Sequence, residues 1–140
     1  MTSSPSLRII RVEDHGDSRG SSFPVPSLHF LESVRDTHIA DILPGAIRGN
    51  HYHKHRREVI CLRYQDRWSL HWDSGTNTPI QTETFAGSGL VIVEIEPLVS
   101  HAVRNDGRST IHMVGFSDTS FDPEQPDSYP REVVQKPAAE

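Results

Sequence analysis

Cysteine is almost absent from this sequence, since Cys61 is the only one in 140 residues. A single thiol excludes an internal disulfide and a metal site built from several thiolates. Cys61 lies in an apolar run, so we expect its side chain to be buried and unreactive. The metal-ligating side chains that remain are carboxylates and the nine histidines.

Long apolar runs and a basic excess are absent as well. No stretch reaches the roughly 20 apolar residues of a membrane-spanning helix, and residues 1–6 lack the basic start and apolar core of a secretory signal. We therefore expect a cytoplasmic protein that does not bind membranes. The formal net charge of −5 argues against a general nucleic-acid binder. At this length we expect one domain over residues 1–134 and a disordered tail over 135–140.

Helical patterns are weak, because glycine and proline recur every few residues and no long apolar stripe has the helical period. Short runs typical of β-strands recur instead, separated by turn-forming stretches such as residues 73–77 and 105–107. Regularly spaced short strands predict an all-β sandwich or barrel. The predicted strands are 7–12, 37–43, 49–53, 59–65, 68–72, 81–85, 90–95, 101–105 and 110–116.

A pair of histidines, His51 and His53, stands on one predicted strand. Residues two apart on a strand point to the same side, so both imidazoles can reach one point. Glu58 has the opposite parity, and residues 54–57 must therefore form a turn or bulge that resets the register. Together with His101 from another strand, these side chains form a set that suits zinc, iron, manganese or nickel and leaves positions open for water or substrate.

Residues 49–58 and 97–105 resemble the two sequence motifs of the cupin superfamily, in which glycine, a histidine pair and glutamate are followed by proline, histidine and asparagine. The chain departs from the pattern at two positions where glycine is common: Arg67 stands where a glycine usually closes the first motif, and Val99 lies in the second motif. The resemblance implies a double-stranded β-helix, or jelly-roll, cupin barrel that binds a divalent metal, zinc before iron, manganese or nickel. The implied metal ligands are His51, His53, Glu58 and His101.

Finer resemblances narrow the function. Residues 17–20 and 48–52 resemble segments of dTDP-4-dehydrorhamnose 3,5-epimerase-like cupins. Residues 121–123 and 126–129 are similar to the end of the C-terminal cupin domain of capsular polysaccharide assembling enzymes, which epimerise a UDP-linked keto-sugar and carry a reductase domain on the same chain. Sugar 3,4-ketoisomerase cupins share the first histidine segment but generally lack the later glutamate and histidine.

The resemblance to capsular enzymes thus implies a metal-binding epimerase or isomerase of a nucleotide-linked keto-sugar in polysaccharide biosynthesis. Whether a separate reductase partner takes part is left open. His38, on a strand expected beside the histidine strand, and Tyr64, on the face of Glu58, are candidates for the general base. Arg19 and Arg48 are candidates for substrate binding, because guanidinium groups bind diphosphate oxygens in bidentate fashion.

Several alternatives fit the same residues. An iron-dependent dioxygenase would use the same four ligands, and a non-catalytic cupin would only bind a small molecule or sugar. Without metal, the histidines would form a hydrogen-bonded network or act directly as acid and base. The basic residues 54–57 form either a solvated turn or an attractant for an anionic substrate at the mouth of the site. Because residues 59–65 and 90–93 are apolar on both faces, we also expect a homodimer.

Overall fold

The computed structural model describes residues 5–25, 29–75 and 77–137. In this part of the chain, ten strands and one 3₁₀ helix, His29–Ser33, form the regular structure. No helix among these residues is long and apolar enough to cross a membrane. The strands are β1 (Leu7–Val12), β2 (Asp36–Ile42), β3 (Ile47–Tyr52), β4 (Glu58–Tyr64), β5 (Trp68–Asp73), β6 (Gln81–Phe85), β7 (Gly89–Ile95), β8 (Ser100–Asn105), β9 (Ile111–Ser117) and β10 (Tyr129–Pro130).

The strands form two five-stranded antiparallel sheets, with the orders β1-β7-β4-β9-β2 and β10-β3-β8-β5-β6. From β2 to β9, successive strands alternate between the sheets except at β5 and β6, which pair with each other. This is the jelly-roll arrangement of eight strands. The predicted all-β jelly roll is therefore confirmed, and nine of the ten strands lie where the sequence pattern placed them.

The apolar core fills one end of the space between the sheets. The rings of Trp68 and Phe85 stack with centroids 4.1 Å apart, and Tyr64 packs against both at 5.4 and 6.1 Å. Burying each side chain of this kind stabilises the fold by roughly 1.5–3 kcal/mol. Ile60 and Val103 belong to this core and also line a cavity at the other end of the barrel. Along β4 and β8 the inward face therefore passes from the apolar core to the wall of the cavity.

The outward face of the first sheet is also apolar. Register pairs place five residues side by side across all five strands: Ile10, Ile92, Cys61, Val114 and Ile39. The last of these is 77% exposed, whereas Cys61 is half-buried rather than fully buried as expected. Burial raises the pKa of the Cys61 thiol, in keeping with the low reactivity predicted for it.

The C-terminal segment crosses the second sheet. Its prolines prevent long strands, as expected, but the two-residue β10 pairs with β3, which the sequence pattern did not predict. Tyr129 stacks on Tyr52 with ring centroids 5.3 Å apart. The Gln135 carbonyl accepts a hydrogen bond from Arg104, although residues 135–140 were expected to be disordered. Residues 138–140 of that expected tail lie outside the described residues.

Candidate metal centre

The four predicted ligands meet at the cavity end of the barrel. His51 comes from β3, His53 and Glu58 flank the turn between β3 and β4, and His101 comes from β8. One ligand atom from each side chain lies within 4.8 Å of the other three. Ligand atoms on opposite sides of an ion with bonds of about 2.1 Å are about 4.2 Å apart. At its widest the cluster is somewhat larger than this, and its dimensions are close to those of a site for one ion.

A bulge in β3 aims the first histidine. The register between β3 and β8 shifts between Gly49 and His51, so that His51 lies opposite His101. At the bulge φ is 115° for Gly49 and 57° for Asn50, which are values that glycine and asparagine tolerate best. A Cβ on Gly49 would lie 2.5 Å from the His101 carbonyl oxygen. The close approach of two ligand-bearing strands therefore requires glycine here.

Asn50, the residue at the centre of the bulge, points away from the ligands and holds the C-terminal segment. Its Oδ1 accepts hydrogen bonds from the N–H groups of Val133 and Val134 at 2.9 and 3.2 Å. Its Nδ2 donates to the Val134 carbonyl at 3.0 Å, and its own carbonyl accepts from the Arg131 N–H at 2.9 Å. The bulge thus joins the histidine strand to the C-terminal segment.

The turn predicted at residues 54–57 is present and separates β3 from β4. It allows His53 and Glu58 to point to the same place despite their opposite parity. The Asp127 carboxylate accepts hydrogen bonds from three successive N–H groups of this turn, and Asp118 accepts one from Arg57 at 2.9 Å. The predicted change of register is confirmed, and two residues far along the chain stabilise it.

Two of the imidazoles are oriented by carbonyl groups. His53 Nδ1 lies 2.7 Å from the Asp127 carbonyl oxygen, and His101 Nδ1 lies 3.0 Å from that of Val99. Because a carbonyl only accepts, each Nδ1 carries the proton and each Nε2 is free to bind a metal. Nε2 of His53 and Oε1 of Glu58 are buried side by side without an acceptable hydrogen bond among the described residues. A shared cation would satisfy both atoms, so the residues fit a metal.

The electrostatics of the cluster favour the deprotonated, metal-binding forms of His51, His101 and Glu58, but not of His53. Burial, followed by the neighbouring His101 and His53, lowers the pKa of His51 to about 4. Burial also lowers the pKa of His101. For Glu58 burial opposes ionisation, but the adjacent His53 imidazole and the charges of the other histidines outweigh it and lower the pKa to about 2. For His53 burial is outweighed by Glu58, and the pKa is raised.

A cavity of about 740 Å³ opens from the ligand cluster. This volume lies within the range of roughly 300–1,000 Å³ typical of small-molecule sites. One part of its wall is apolar, formed by Ile60, Val103, Met113, Phe116 and Phe121. The other part carries charged and polar groups from Asp36, His38, Arg48, Arg56, Ser117 and Ser128. The wall thus combines surface for an apolar ring with groups for a charged ligand.

The remaining predicted site residues divide into two pairs. His38 and Arg48 line the cavity, and Arg48 Nε donates to the Asp41 carbonyl at 2.9 Å. Arg19 lies elsewhere, in an exposed turn where it pairs with Asp17 at 2.6 Å. Tyr64 does not line the cavity either. It shares the face of Glu58 as predicted, but it lies six residues further along β4, about 20 Å away in the aromatic core.

Within the basic residues 54–57, only Arg56 lines the cavity. Lys54 lies over the Tyr129 ring at 4.3 Å, and the side chains of His55 and Arg57 are exposed. The segment is therefore a solvated turn with one arginine facing the site. The sequence suggested a basic mouth but could not single out Arg56, and it gave no sign of the roles of Asn50 and Asp127.

The jelly roll, with its histidine and glutamate cluster at the base of a cavity, defines a cupin barrel. Residues 15–129 match the family model described as the polysaccharide biosynthesis C-terminal domain. The chain belongs to this family. No curated protein matches the sequence.

Solved structures with the same fold include sugar-modifying enzymes. Capsular polysaccharide assembling protein CapF from Staphylococcus aureus is 24% identical with a TM-score of 0.63, and the match covers 89% of this chain and 33% of CapF. The chain thus spans about one third of the length of CapF. Another is the 3,4-ketoisomerase QdtA from Thermoanaerobacterium thermosaccharolyticum, in complex with TDP-4-keto-6-deoxyglucose. It is 14% identical with a TM-score of 0.63, and the match covers 91% of this chain and 88% of the QdtA chain.

A third structure, a dTDP sugar isomerase from Desulfovibrio desulfuricans, is 11% identical with a TM-score of 0.70, and the match covers 91% of this chain and 84% of that one. At these identities the three comparisons establish the shared fold.

Proposed function

We propose that this protein is a metal-dependent epimerase or isomerase that acts on a nucleotide-linked keto-sugar in polysaccharide biosynthesis. The observation that carries the proposal is that one cavity joins the ligand cluster, a further histidine and two arginines. The family and the sugar-modifying structures of the same fold support it.

The four ligands His51, His53, Glu58 and His101 would hold a divalent ion. Zinc suits three imidazoles and a carboxylate, and iron, manganese and nickel accept the same set. When bound, the ion would act as a Lewis acid that stabilises negative charge on the keto oxygen of the sugar.

His38 is the proposed general base. It lines the cavity from β2, and its side chain is exposed, so the imidazole has access to both substrate and water. An imidazole nitrogen removes the proton from the carbon next to the ketone and exchanges it with solvent. Return of a proton to the opposite face of that carbon gives an epimer. Isomerisation also requires a hydroxyl group on that carbon: its proton passes to the former keto oxygen, the former keto carbon receives a proton, and the hydroxyl-bearing carbon becomes the new ketone.

Arg48 and Arg56 are the proposed contacts for the diphosphate of the substrate. Both line the cavity, and guanidinium groups bind phosphate oxygens with paired hydrogen bonds. Phe121 lies at the same wall with 58% of its surface exposed, which leaves its ring free to stack on the nucleotide base. The apolar and charged parts of the wall would thus receive the two ends of a nucleotide-sugar.

The test is proton exchange into dTDP- and UDP-linked keto-sugars in heavy water. We expect the metal-loaded protein to catalyse exchange and His38→Gln to slow it by roughly 10²- to 10⁴-fold with its metal content unchanged. His55→Gln is the matched control, since its side chain is exposed and outside the cavity.

Absence of exchange with all such substrates would contradict the proposal. Iron in the purified protein together with oxygen uptake would favour a dioxygenase. A higher melting temperature with these ligands, without turnover, would favour a binding module.

A further inference from the structure

Asp127 contacts the site through both its side chain and its main chain. Its carboxylate accepts the Lys54 N–H at Oδ1, 2.8 Å away, and the His55 and Arg56 N–H groups at Oδ2, both 3.0 Å away. These partners lie more than 70 residues earlier in the chain. One side chain therefore fixes three of the four residues in the turn at 54–57.

The main chain of Asp127 holds a ligand of the site. Its carbonyl oxygen accepts the Nδ1–H of His53 at 2.7 Å. The φ of Asp127 is 48°, in the left-handed region that aspartate enters more readily than most residues. In this conformation the carbonyl and the carboxylate of Asp127 both face His53 and the turn that follows it.

Arg56 is held from the same side. Its N–H is bound by the Asp127 carboxylate, and its guanidinium lies against the neighbouring segment, with Nε 3.4 Å from Thr119 Oγ1 and Nη2 3.5 Å from the Pro126 carbonyl. Pro126 and Ser128, on either side of Asp127, line the cavity themselves. The C-terminal segment is therefore a wall of the site.

We propose that Asp127 is a positioning residue of this site: its carbonyl sets the ring of His53, and its carboxylate sets the turn that presents Arg56 to the cavity. The part of this inference that concerns metal affinity rests on the proposed function. The part that concerns the orientation of His53 holds for the metal-free protein as well.

The substitution Asp127→Asn separates these contacts with little change in size. An ionised carboxylate only accepts, whereas an amide has one accepting oxygen and an NH₂ group that donates. Whichever way the amide turns, the NH₂ group meets at least one backbone N–H of the turn. The hydrogen bonds that fix Lys54, His55 and Arg56 are therefore weakened, and the distance between the turn and the Asp127 carbonyl is no longer set.

Asp66→Asn is the matched control. The Asp66 carboxylate also accepts backbone N–H groups, from Arg67 and Arg108 at 2.8 Å each, and joins distant parts of the chain. It lies in the turn between β4 and β5, at the end of β4 opposite Glu58. Asp66→Asn therefore weakens hydrogen bonds of the same kind in a turn that does not contact the site.

The experiment compares Co²⁺ binding and the visible spectrum of bound Co²⁺ in the wild-type chain of 140 residues, Asp127→Asn and Asp66→Asn. We expect Asp127→Asn to raise the Kd for Co²⁺ by roughly 10- to 100-fold, the usual effect of losing a group that orients a ligand, and to change the spectrum. Asp66→Asn keeps the wild-type Kd and spectrum.

A second readout uses the metal-free proteins. The Nδ1–H of His53 should give a slowly exchanging imidazole proton resonance in the wild type and Asp66→Asn, and Asp127→Asn should lose it. Equal resonances in all three proteins, or equal loss in both variants, would overturn the inference. If the wild type binds no Co²⁺, the proposed function fails, while selective loss of this resonance in Asp127→Asn still supports the positioning role.

Discussion

Arg56 shows how much one side chain contributes when a turn brings it to the site. It is the only residue of the segment 54–57 that lines the cavity, and its neighbour Arg57 carries the same charge into solvent. We expect Arg56→Ala to raise the KM for a nucleotide-sugar by roughly 10- to 100-fold with a smaller change in kcat, because a hydrogen bond to a charged group contributes about 1.5–3 kcal/mol.

Arg57→Ala is the control for this prediction, since it removes the same charge from the same turn. Steady-state kinetics of both variants give the comparison. Equal changes in KM would show that the turn attracts the substrate only through its overall charge.

For single residues, the sequence was most informative where the spacing along one strand decides to which face of the sheet a side chain points. Two histidines two apart had to share a face, and Glu58 had to follow a break in the strand. The same parity argument was misleading for Tyr64, because a shared face says nothing of position along the barrel. The role of Asp127 could not be predicted from the sequence, because its contacts join residues more than 70 positions apart.

At the scale of elements, the bulge in β3 is the feature on which the ligand geometry depends. Both Gly49 and Gly20 have positive φ, 115° and 138°, but only Gly49 lies against another strand. We expect Gly20→Ala to cost about 1–3 kcal/mol of backbone strain. Gly49→Ala should cost more, because a Cβ there would push β8 and His101 away, and it should also lower the metal content.

Urea unfolding and elemental analysis of the two variants test this prediction. Retention of full metal content in Gly49→Ala, with the same loss of stability as Gly20→Ala, would show that the close approach of β3 and β8 is not needed for the site.

The elements themselves were largely predictable, because alternating apolar residues and turn sequences carry the period of a strand. The bulge was not predicted, since the pattern of His51 and His53 is the same with or without it. The two-residue β10 was also missed, because Pro130 argues against a strand and only its pairing with β3 stabilises it.

At the scale of the whole molecule, the ligand cluster connects the two sheets. His51 and His101 belong to the second sheet, whereas Glu58 begins β4 in the first. We expect zinc at 100 times its Kd to stabilise the protein by about 2.7 kcal/mol and to raise the melting temperature by roughly 5–10 °C. Chelation reverses the rise, and His51→Ala abolishes it.

This stabilisation should depend on pH in a defined direction. Between pH 6 and 8 His51, with a pKa of about 4, and Glu58, with a pKa of about 2, are already deprotonated. The pKa of His53 is raised above 6.5, so protons compete with metal there as the pH falls through it. Zinc should therefore raise the melting temperature more at pH 8 than at pH 6. An equal rise at both values would contradict this assignment.

The homodimer stays a prediction at this scale. The apolar row on the outward face of the first sheet, which ends at the exposed Ile39, is the surface that supports it. The all-β class followed from the spacing of short strands, and the jelly roll followed from the resemblance to the cupin motifs. The shape of the cavity depends on contacts between residues remote in sequence.

The placement of Asp127 and Asn50 has a consequence for how such a protein can change its chemistry. Three of the four proposed metal ligands lie on strands, but a segment that follows the last long strand closes the wall beside them. Substrate preference and the geometry of the cluster could therefore diverge through substitutions in that segment alone, while the nine preceding strands keep their register.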